Sequence, residues 1–293
     1  MKVLVKIDKK EHVLKYINNC DGIILGLENF SVDFNDTFTL NEIENIIDTY
    51  RDKDVFVAIN KSVFNNELDD IQEKLQQLSK LDIRGVFFYD LAILYLKKKL
   101  NLTFDLVWNQ THMVSNYNTC NYYYDKGVKY GYLSGEITKE EILEINEKSN
   151  MNFLFNVVSH QIMSLSRRSL LTNYYTSINK EYDNKVKEIK VGTHSYLIRE
   201  GNEGTIIKTK TIFNGIEVLP DFLKAGITYS VVDESLMDSD IIVELLNIIN
   251  NVIIGNDVKE NIEKSYKIIG SNTSFLFNKT IFKVKEEARS RGN

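Results

Sequence analysis

The sequence predicts an α/β fold, a TIM-like (β/α) barrel with a small β insertion and a helical C-terminal segment. Short apolar segments of about four to six residues alternate with helical segments of about ten to fifteen, which is typical of a parallel α/β fold. The number of these units approaches eight, the count of a closed barrel. No glycine-rich phosphate loop follows the first strand, and open dinucleotide-binding sheets need one. A barrel is therefore favoured over an open sheet.

The first half of the chain opens with a strand, a helix and a second strand. Lys2 to Ile7 and Gly22 to Leu27 are apolar runs separated by a helix-like segment, so parallel pairing is expected. Thr39 precedes a helical segment that ends near Tyr50, and Glu42 stands where a capping box requires it. The elements predicted next are a strand at Val55–Asn60, a helix at Asn66–Leu81, a strand at Val86–Tyr89 and a helix at Leu91–Leu100.

The second half continues the alternation and then departs from it. The predicted elements are a strand at Leu106–Trp108, a helix at Asn118–Lys126, a strand at Tyr130–Leu133 and a helix at Thr138–Lys148, capped by Thr138. Met151 to Val158 is an almost unbroken apolar run, which predicts a strand buried on both faces. Asn179 to Thr211 alternates polar and apolar residues around three glycines, which indicates a small antiparallel insertion.

The end of the chain returns to one more barrel unit. Pro220 predicts a helix start, and Val231–Asp233 is the last predicted strand. Asp240–Gly255 is an amphipathic helix, and the charged tail Lys283–Asn293 is expected to fray. We therefore divide the chain into a barrel-like domain at 1–235, with its insertion at about 179–211, and a C-terminal helical segment at 236–293.

Composition limits the classes of function. The net charge of -5 argues against binding nucleic acid, DNA above all, through bulk electrostatics, although a local basic site is compatible with it. Cys20 and Cys120 are too far apart for a thiolate metal site, and the four histidines show no metal-binding spacing, so no metal is expected. No segment reaches the roughly 18 apolar residues of a membrane span, and no secretory signal is recognised. We expect a cytoplasmic protein.

Polar residues stand at the carboxyl ends of the predicted strands and would meet at one barrel mouth. They are Asn60, Asp90, Asn109, Asn116, Glu136, His160 and Asp233. We predict that Glu136, His160 and Asp233 are catalytic, because carboxylates and imidazoles act as acids and bases. The amides and Asp90 are predicted to bind substrate through paired donors and acceptors. Asn60 and Asp90 serve equally well as helix caps.

A cationic segment follows the apolar run that ends at Val158. Arg167 and Arg168 are adjacent, and Tyr174 comes shortly after them. Two guanidinium groups at a barrel mouth would bind a phosphate or carboxylate through planar forks of donors, and the tyrosine would stack on a base. The alternative is that the arginines are solvated surface residues and that His160 is a structural residue.

Six segments follow one another in the order of a known family. They are AINKSVFNNEL, GVFFYDLAIL, VWNQTHMVSN, YLSGEIT, VVSHQIMSLSRRSLLTNYY and GTIIKTKTIFNGIEVLPDFLKAGITYSVVDES. Together they resemble peptidase family U32, the collagenase-like proteases, in the short form found in Firmicutes. The resemblance covers roughly residues 1–235 and implies a barrel.

The family pattern also shows what this chain lacks. Iron-sulfur members hold a cluster with four cysteines, but His160, Gln161, Ser164 and Ser166 stand at such positions here, so no cluster is implied. Basic residues commonly end the last barrel strand of the family, whereas here that strand ends in the acidic residues Asp233 and Glu234. A Ser-x-Gln strand end is replaced by Asn-Gln-Thr at 109–111.

The resemblance implies three functions. Short Firmicutes members are similar to prephenate-dependent proteins that hydroxylate uridine at the tRNA wobble position, which implies a factor of 5-hydroxyuridine biogenesis with tRNA as partner and prephenate as a small molecule. The alternatives are a collagenase-like peptidase and a non-catalytic partner subunit of a paralogue. We favour the first, because the sequence shows no nucleophile elbow, no Ser-His-Asp order and no zinc motif.

Overall fold

The computed structural model describes residues 1–110 and 112–278 of the chain. The predicted charged tail at 283–293 lies outside the described residues. Eleven strands occur in the described part. They are β1 Lys2–Lys6, β2 Gly22–Gly26, β3 Asp54–Ile59, β4 Gly85–Phe88, β5 Asp105–Trp108, β6 Tyr130–Tyr132, β7 Asn152–Ser166, β8 Lys187–Val191, β9 His194–Gly201, β10 Gly204–Asn214 and β11 Tyr229–Asp233.

Eight parallel strands close into a barrel. Strands β1 to β7 pair in chain order, and β11 completes the ring by pairing with both β1 and β7. The closing register places Lys6 of β1 opposite Asp233 of β11, at the carboxyl end of both strands. The predicted TIM-like barrel is thereby confirmed.

Helices surround the barrel in the alternating order that the sequence predicts. They are α1 Val13–Tyr16, α2 Leu40–Thr49, α3 Leu68–Leu78, α4 Leu91–Leu100, α5 Tyr117–Asp125, α6 Lys139–Lys148, α7 Leu170–Ser177, α8 Leu219–Ala225, α9 Ser239–Ile254 and α10 Val258–Ile269. Thr39 forms the predicted capping box at α2, and the predicted cap Thr138 also forms a capping box, at α6. Pro220 lies in the first turn of α8, where its missing N–H costs no hydrogen bond.

Two apolar clusters follow from the alternation of side chains along the strands. The inner cluster fills the barrel and includes Leu4, Phe56, Phe87 and Tyr229. The outer cluster lies between the strands and the helices and is much larger. Buried residues of α9 belong to this outer cluster, and α10 packs on α9, so the C-terminal helices share the core of the barrel. Among the described residues, no helix is long and apolar enough to cross a membrane.

Strand β7 is longer than the sequence predicts, and this is a correction. We expected the strand to end at Val158, with His160 and the next polar residues beyond it. The strand instead continues to Ser166, because its second half leaves the barrel rim and pairs antiparallel with β10. A bulge at Val157 lets both Val157 and Val158 pack in the outer cluster while Asn156 still pairs with Val231.

The predicted insertion exists, but its bounds are wider than 179–211. Strands β8, β9 and β10 form an antiparallel sheet with the outer half of β7, and β10 runs on to Asn214. The insertion therefore begins within β7 itself. It is attached to the carboxyl end of the barrel, where the strand ends are open.

Candidate functional site

A cavity of about 450 Å³ lies at the carboxyl end of the barrel. Five of the predicted site residues line it: Asn60, Asn109, Glu136, His160 and Asp233. Side chains from the insertion and from the segment after α10, among them Ile206 and Phe275, complete its wall. Active sites of TIM barrels occupy this end, so this cavity is the candidate site.

A buried ion-pair network lies beside the cavity. The Lys6 ammonium contacts Asp33 at 2.5 Å and Asp233 at 3.3 Å. The Lys208 ammonium contacts the same two carboxylates, at 2.7 Å and 3.0 Å, and also donates to the Ser235 hydroxyl. Lys208 is 0% exposed although it comes from the insertion. The insertion is thus held on the barrel mouth by a fully buried charge.

A second cation of the insertion joins the same network. Arg199 of β9 binds Asp8 through two hydrogen bonds of 2.7 and 3.0 Å and contacts Asp33 at 3.2 Å. Lys6, Lys208 and Arg199 therefore stand against Asp8, Asp33 and Asp233, so that positive and negative charges balance within the network. We refer to these six residues as the mouth network.

Burial and charge act in opposite directions on the pKa values of the mouth network. Burial alone would raise the pKa of Asp33 and of Asp233, but the ammonium groups of Lys208 and Lys6 outweigh it and lower both. Burial would lower the pKa of Lys6, but Asp233 and Asp33 outweigh it and raise the pKa. Lys6 is therefore charged at neutral pH and is not an amine nucleophile.

Glu234 fixes the segment that presents Asp8. The Glu234 carboxylate is buried and accepts hydrogen bonds from the backbone N–H groups of Asp8 and Lys9. The Tyr16 hydroxyl donates to it at 2.7 Å, and His12 Nδ1 lies 2.6 Å away. These contacts hold the turn after β1 in the position from which Asp8 meets Arg199.

His160 lies on β7 at the cavity wall. Its Nδ1 pairs with the carbonyl oxygen of Thr209 at 2.9 Å, and the side chain is buried. Burial lowers the pKa of His160, so the imidazole is neutral at pH 7. A neutral imidazole whose Nδ1 donates to a carbonyl presents Nε2 as an acceptor, which suits a general base.

The three asparagine side chains of the cavity differ in their hydrogen bonding. Asn60 exchanges two hydrogen bonds with the backbone of Val32, through its Oδ1 and Nδ2 atoms. Asn109 and Asn156 each have a buried Oδ1 atom that finds no hydrogen-bond partner among the described residues. Asn60 thus supports the loop after β2, whereas the other two asparagines have unused acceptors.

Two of the other predicted residues are helix caps. Asp90 accepts hydrogen bonds from Ala92 N and Val63 N, and it begins α4. Asn116 accepts from Thr119 N and begins α5. Neither lines the cavity. At the rim, Glu136 is exposed and pairs with the exposed His112 at 3.2 Å.

Arg167 belongs to a second ion-pair group, formed with Lys61, Glu67 and Glu203. Its guanidinium contacts both carboxylate oxygens of Glu67, at 3.0 and 3.1 Å, and donates to the Ser62 carbonyl at 2.8 Å. The Lys61 ammonium is buried and contacts both glutamates. Hydrogen bonding to Arg167 lowers the pKa of Glu67 to about 2. The Arg167 donors are therefore already occupied.

Arg168 and Tyr174 face solvent beside this group. The Arg168 side chain is exposed and makes no ion pair with the described residues. Tyr174 is 58% exposed and meets Tyr175 edge to face. Because Arg167 anchors this turn to the loop after β3, Arg168 is presented on the mouth side of the barrel.

The two arginines are expected to behave differently when replaced. Arg167→Lys loses the bidentate contact with Glu67 and the Ser62 hydrogen bond, and we expect it to lower the free energy of unfolding by about 1–3 kcal/mol. Arg168→Lys is the matched control and should change it by no more than about 0.5 kcal/mol. Urea denaturation measures both. Equal stability of the two variants would contradict the placement of Arg167.

Sequence reasoning missed most of the mouth network. Lys6, Asp33, Lys208 and Arg199 were not among the predicted site residues. Lys6 had a recognisable pattern, because it follows Lys2 and Leu4 at the two-residue period that points into the barrel. Within the described residues, no group of three or more His, Cys, Asp or Glu side chains could hold a metal ion.

The sequence profile of peptidase family U32 matches residues 8–268. The chain belongs to peptidase family U32. The match covers the barrel after β1, the insertion and most of the C-terminal helices.

Individual proteins are also similar to this chain. The tRNA hydroxylation protein P2 of Bacillus subtilis (strain 168) is 27% identical over 212 residues, which is 68% of this chain and 67% of that protein. Dihydrodipicolinate synthase is 11% identical with a TM-score of 0.51, over 92% of this chain and 82% of the other, which shows the shared fold. The U32 peptidase Mk0906 is 15% identical with a TM-score of 0.46, over 54% and 69%.

Proposed function

We propose that this chain is a tRNA wobble-uridine hydroxylation factor that takes part in forming 5-hydroxyuridine. The observation that carries the proposal is the similarity to a tRNA hydroxylation protein over 212 residues, within a family match that spans most of the chain. tRNA would then be its macromolecular partner, and the chain would act in the cytoplasm.

The candidate site supports this proposal. Sequence-specific proteins recognise RNA mainly at unstacked loop bases, through stacking and a few hydrogen bonds, and they do not need a strongly basic surface. The cavity is lined by aromatic and amide side chains and not by many basic ones. Arg168 and Tyr174 are exposed and do not line the cavity, so they would contact the phosphates and bases that flank the target. The acidic net charge is therefore compatible with a local RNA site.

The structure gives less support to a peptidase. Among the described residues, no serine or cysteine side chain hydrogen-bonds to a histidine, as a nucleophile–base pair would. Burial raises the pKa of both Cys20 and Cys120 to about 12, so neither forms a thiolate at neutral pH.

Prephenate does not fit the cavity as the structure shows it. Prephenate is a dicarboxylate, and each cation of the mouth network is already paired with carboxylates. Among residues 1–110 and 112–278, a dianion there would face Asp33 and Asp233 without an unpaired lysine or arginine beside it. We therefore assign no step to prephenate in this cavity.

The test is the nucleoside composition of tRNA from cells that lack this chain. If the proposal holds, 5-hydroxyuridine and its derivatives fall below detection by mass spectrometry in a strain that also lacks any paralogue, and expression of this chain alone restores them. Unchanged levels in the deletion strain would refute the proposal. Restoration only in the presence of the paralogue would indicate the partner-subunit function instead.

A further inference from the structure

Two asparagines that line the same cavity each carry an unsatisfied amide oxygen. Within residues 1–110 and 112–278, Asn109 Oδ1 and Asn156 Oδ1 are the buried side-chain polar atoms that lack a hydrogen-bond partner. Both residues line the cavity, Asn109 just after β5 and Asn156 on β7. Buried polar atoms almost always have partners, so these two acceptors need donors that the described protein groups do not supply.

These oxygens can reach a ligand through a small movement. Both side chains are only half-buried, although their Oδ1 atoms lie against protein. The Asn156 Nδ2 atom donates to Ser159 Oγ at 2.6 Å, and the Asn109 amide has no such anchor. The terminal torsion of asparagine is soft, so a turn of the amide brings the oxygen toward the cavity. A ligand N–H group would stabilise the turned position.

The cavity favours an uncharged ligand. The mouth network holds three cations and three carboxylates in direct contact, so it has no unpaired charge to offer. His160 is neutral at pH 7, and the carboxylate of Glu136 lies on the exposed rim, where it contacts His112 at 3.2 Å. A buried charge needs a partner of opposite sign, and the described residues of the cavity interior leave no such partner unpaired.

The size and the walls of the cavity favour a single planar ring. Its volume of about 450 Å³ lies in the range of sites for one small molecule. Phe34, Phe87, Tyr132 and Phe213 contribute aromatic surface. Burial raises the pKa of Tyr132, so its hydroxyl remains a neutral donor. Stacking on such rings stabilises any of the bases, so hydrogen bonds must distinguish one base from another.

We propose that this cavity receives one uncharged uracil base turned out of an RNA loop, with its ring N–H donating to the side-chain oxygen of Asn109 or Asn156. Uracil combines a flat neutral ring with an N–H donor between two carbonyl groups, whereas cytosine presents an acceptor at the same ring position. The inference rests on the proposed function and extends it to a site and a hydrogen-bonding pattern.

The test changes the ligand as well as the protein. A fluorescent RNA stem-loop with one uridine in its loop is compared with the same RNA carrying 3-methyluridine, which lacks the ring N–H. Fluorescence anisotropy measures the two dissociation constants. The unaltered protein should bind the methylated RNA at least about 10-fold more weakly, or about 1.4 kcal/mol. Asn109→Leu/Asn156→Leu should bind both RNAs within about 2-fold of each other. Its melting temperature verifies that it is folded. If it is not, Asn109→Leu and Asn156→Leu are measured separately, and discrimination should be lost in one of them; full discrimination by both would overturn the inference.

Two results would overturn the inference. The first is equal affinity of the unaltered protein for both RNAs, and the second is full discrimination by the folded double variant. The proposed function is judged separately, from 5-hydroxyuridine in cellular tRNA. If hydroxylation requires the chain but discrimination is absent, the base site is wrong and the function stands. If discrimination is present but deletion leaves hydroxylation unchanged, the base site stands and the function is wrong.

Discussion

Replacement of Lys208 by Met is expected to lower the free energy of unfolding by about 3–5 kcal/mol, the cost of removing one partner from a buried ion pair. Lys208 is fully buried and contacts both Asp33 and Asp233. Without Lys208, the buried carboxylates of Asp33 and Asp233 share the Lys6 ammonium. Of these two carboxylates, Arg199 contacts only that of Asp33. Urea denaturation at pH 7 measures the loss.

Lys210→Met is the matched control on the same strand. Lys210 is exposed and pairs with Glu188 at 2.8 Å, so its removal should change stability by no more than about 0.5 kcal/mol. If Lys208→Met were as mild as this control, the mouth network would not hold the insertion on the barrel.

Stability is expected to fall steeply as the pH drops below about 4. The pKa values of Asp33 and Asp233 are lower in the folded state than in the unfolded chain, because Lys208 and Lys6 outweigh the effect of burial. Their contribution is complete above the unfolded pKa of about 3.9 and is lost as the pH falls toward the folded values. Two such groups make the free energy of unfolding depend on pH with a slope of up to about 2.7 kcal/mol per pH unit.

A comparison with a variant separates the contribution of Asp233 to the acid slope from that of the other carboxylates. Glu67 also has a lowered pKa, of about 2, and contributes in the same pH window. The unfolding free energy of the unaltered protein and of Asp233→Asn is therefore measured from pH 7 to pH 2.5. We expect a shallower acid slope for Asp233→Asn. Identical slopes would show that the pKa of Asp233 is not lower in the folded protein than in the unfolded chain.

The barrel was predictable because its determinants are local. Each strand is a short apolar run, and the caps at Thr39 and Thr138 can be recognised within four residues. The outer half of β7 was not predictable in this way. Residues 159–166 mix polar and apolar side chains as a loop does, and they become a strand because β10, some forty residues later, pairs with them.

The candidate site shows the same difference between local and long-range determinants. The positions of Asn109 and Asp233 at the barrel mouth could be predicted because parallel strands all end there, whereas His160 lies within the extended β7. The assembly of the mouth network could not be predicted, because Lys6 and Lys208 reach the same carboxylates only through the pairing of β1 with β11 and the folding back of the insertion. Asp33 lies in a loop and has a left-handed backbone conformation, with φ at 64°, that no strand or helix pattern predicts.

If the barrel mouth serves the hydroxylation of tRNA uridine, residues of its cavity are needed for that modification in cells. The most direct measurement is 5-hydroxyuridine in tRNA from a strain that lacks this chain and any paralogue, complemented by the unaltered protein, by Asn109→Leu/Asn156→Leu or by Lys210→Met at equal protein levels. We expect full restoration by the unaltered protein and by Lys210→Met, and at least about a 10-fold loss with the cavity variant. Full restoration by the folded cavity variant, or no restoration by the unaltered protein, would contradict the account.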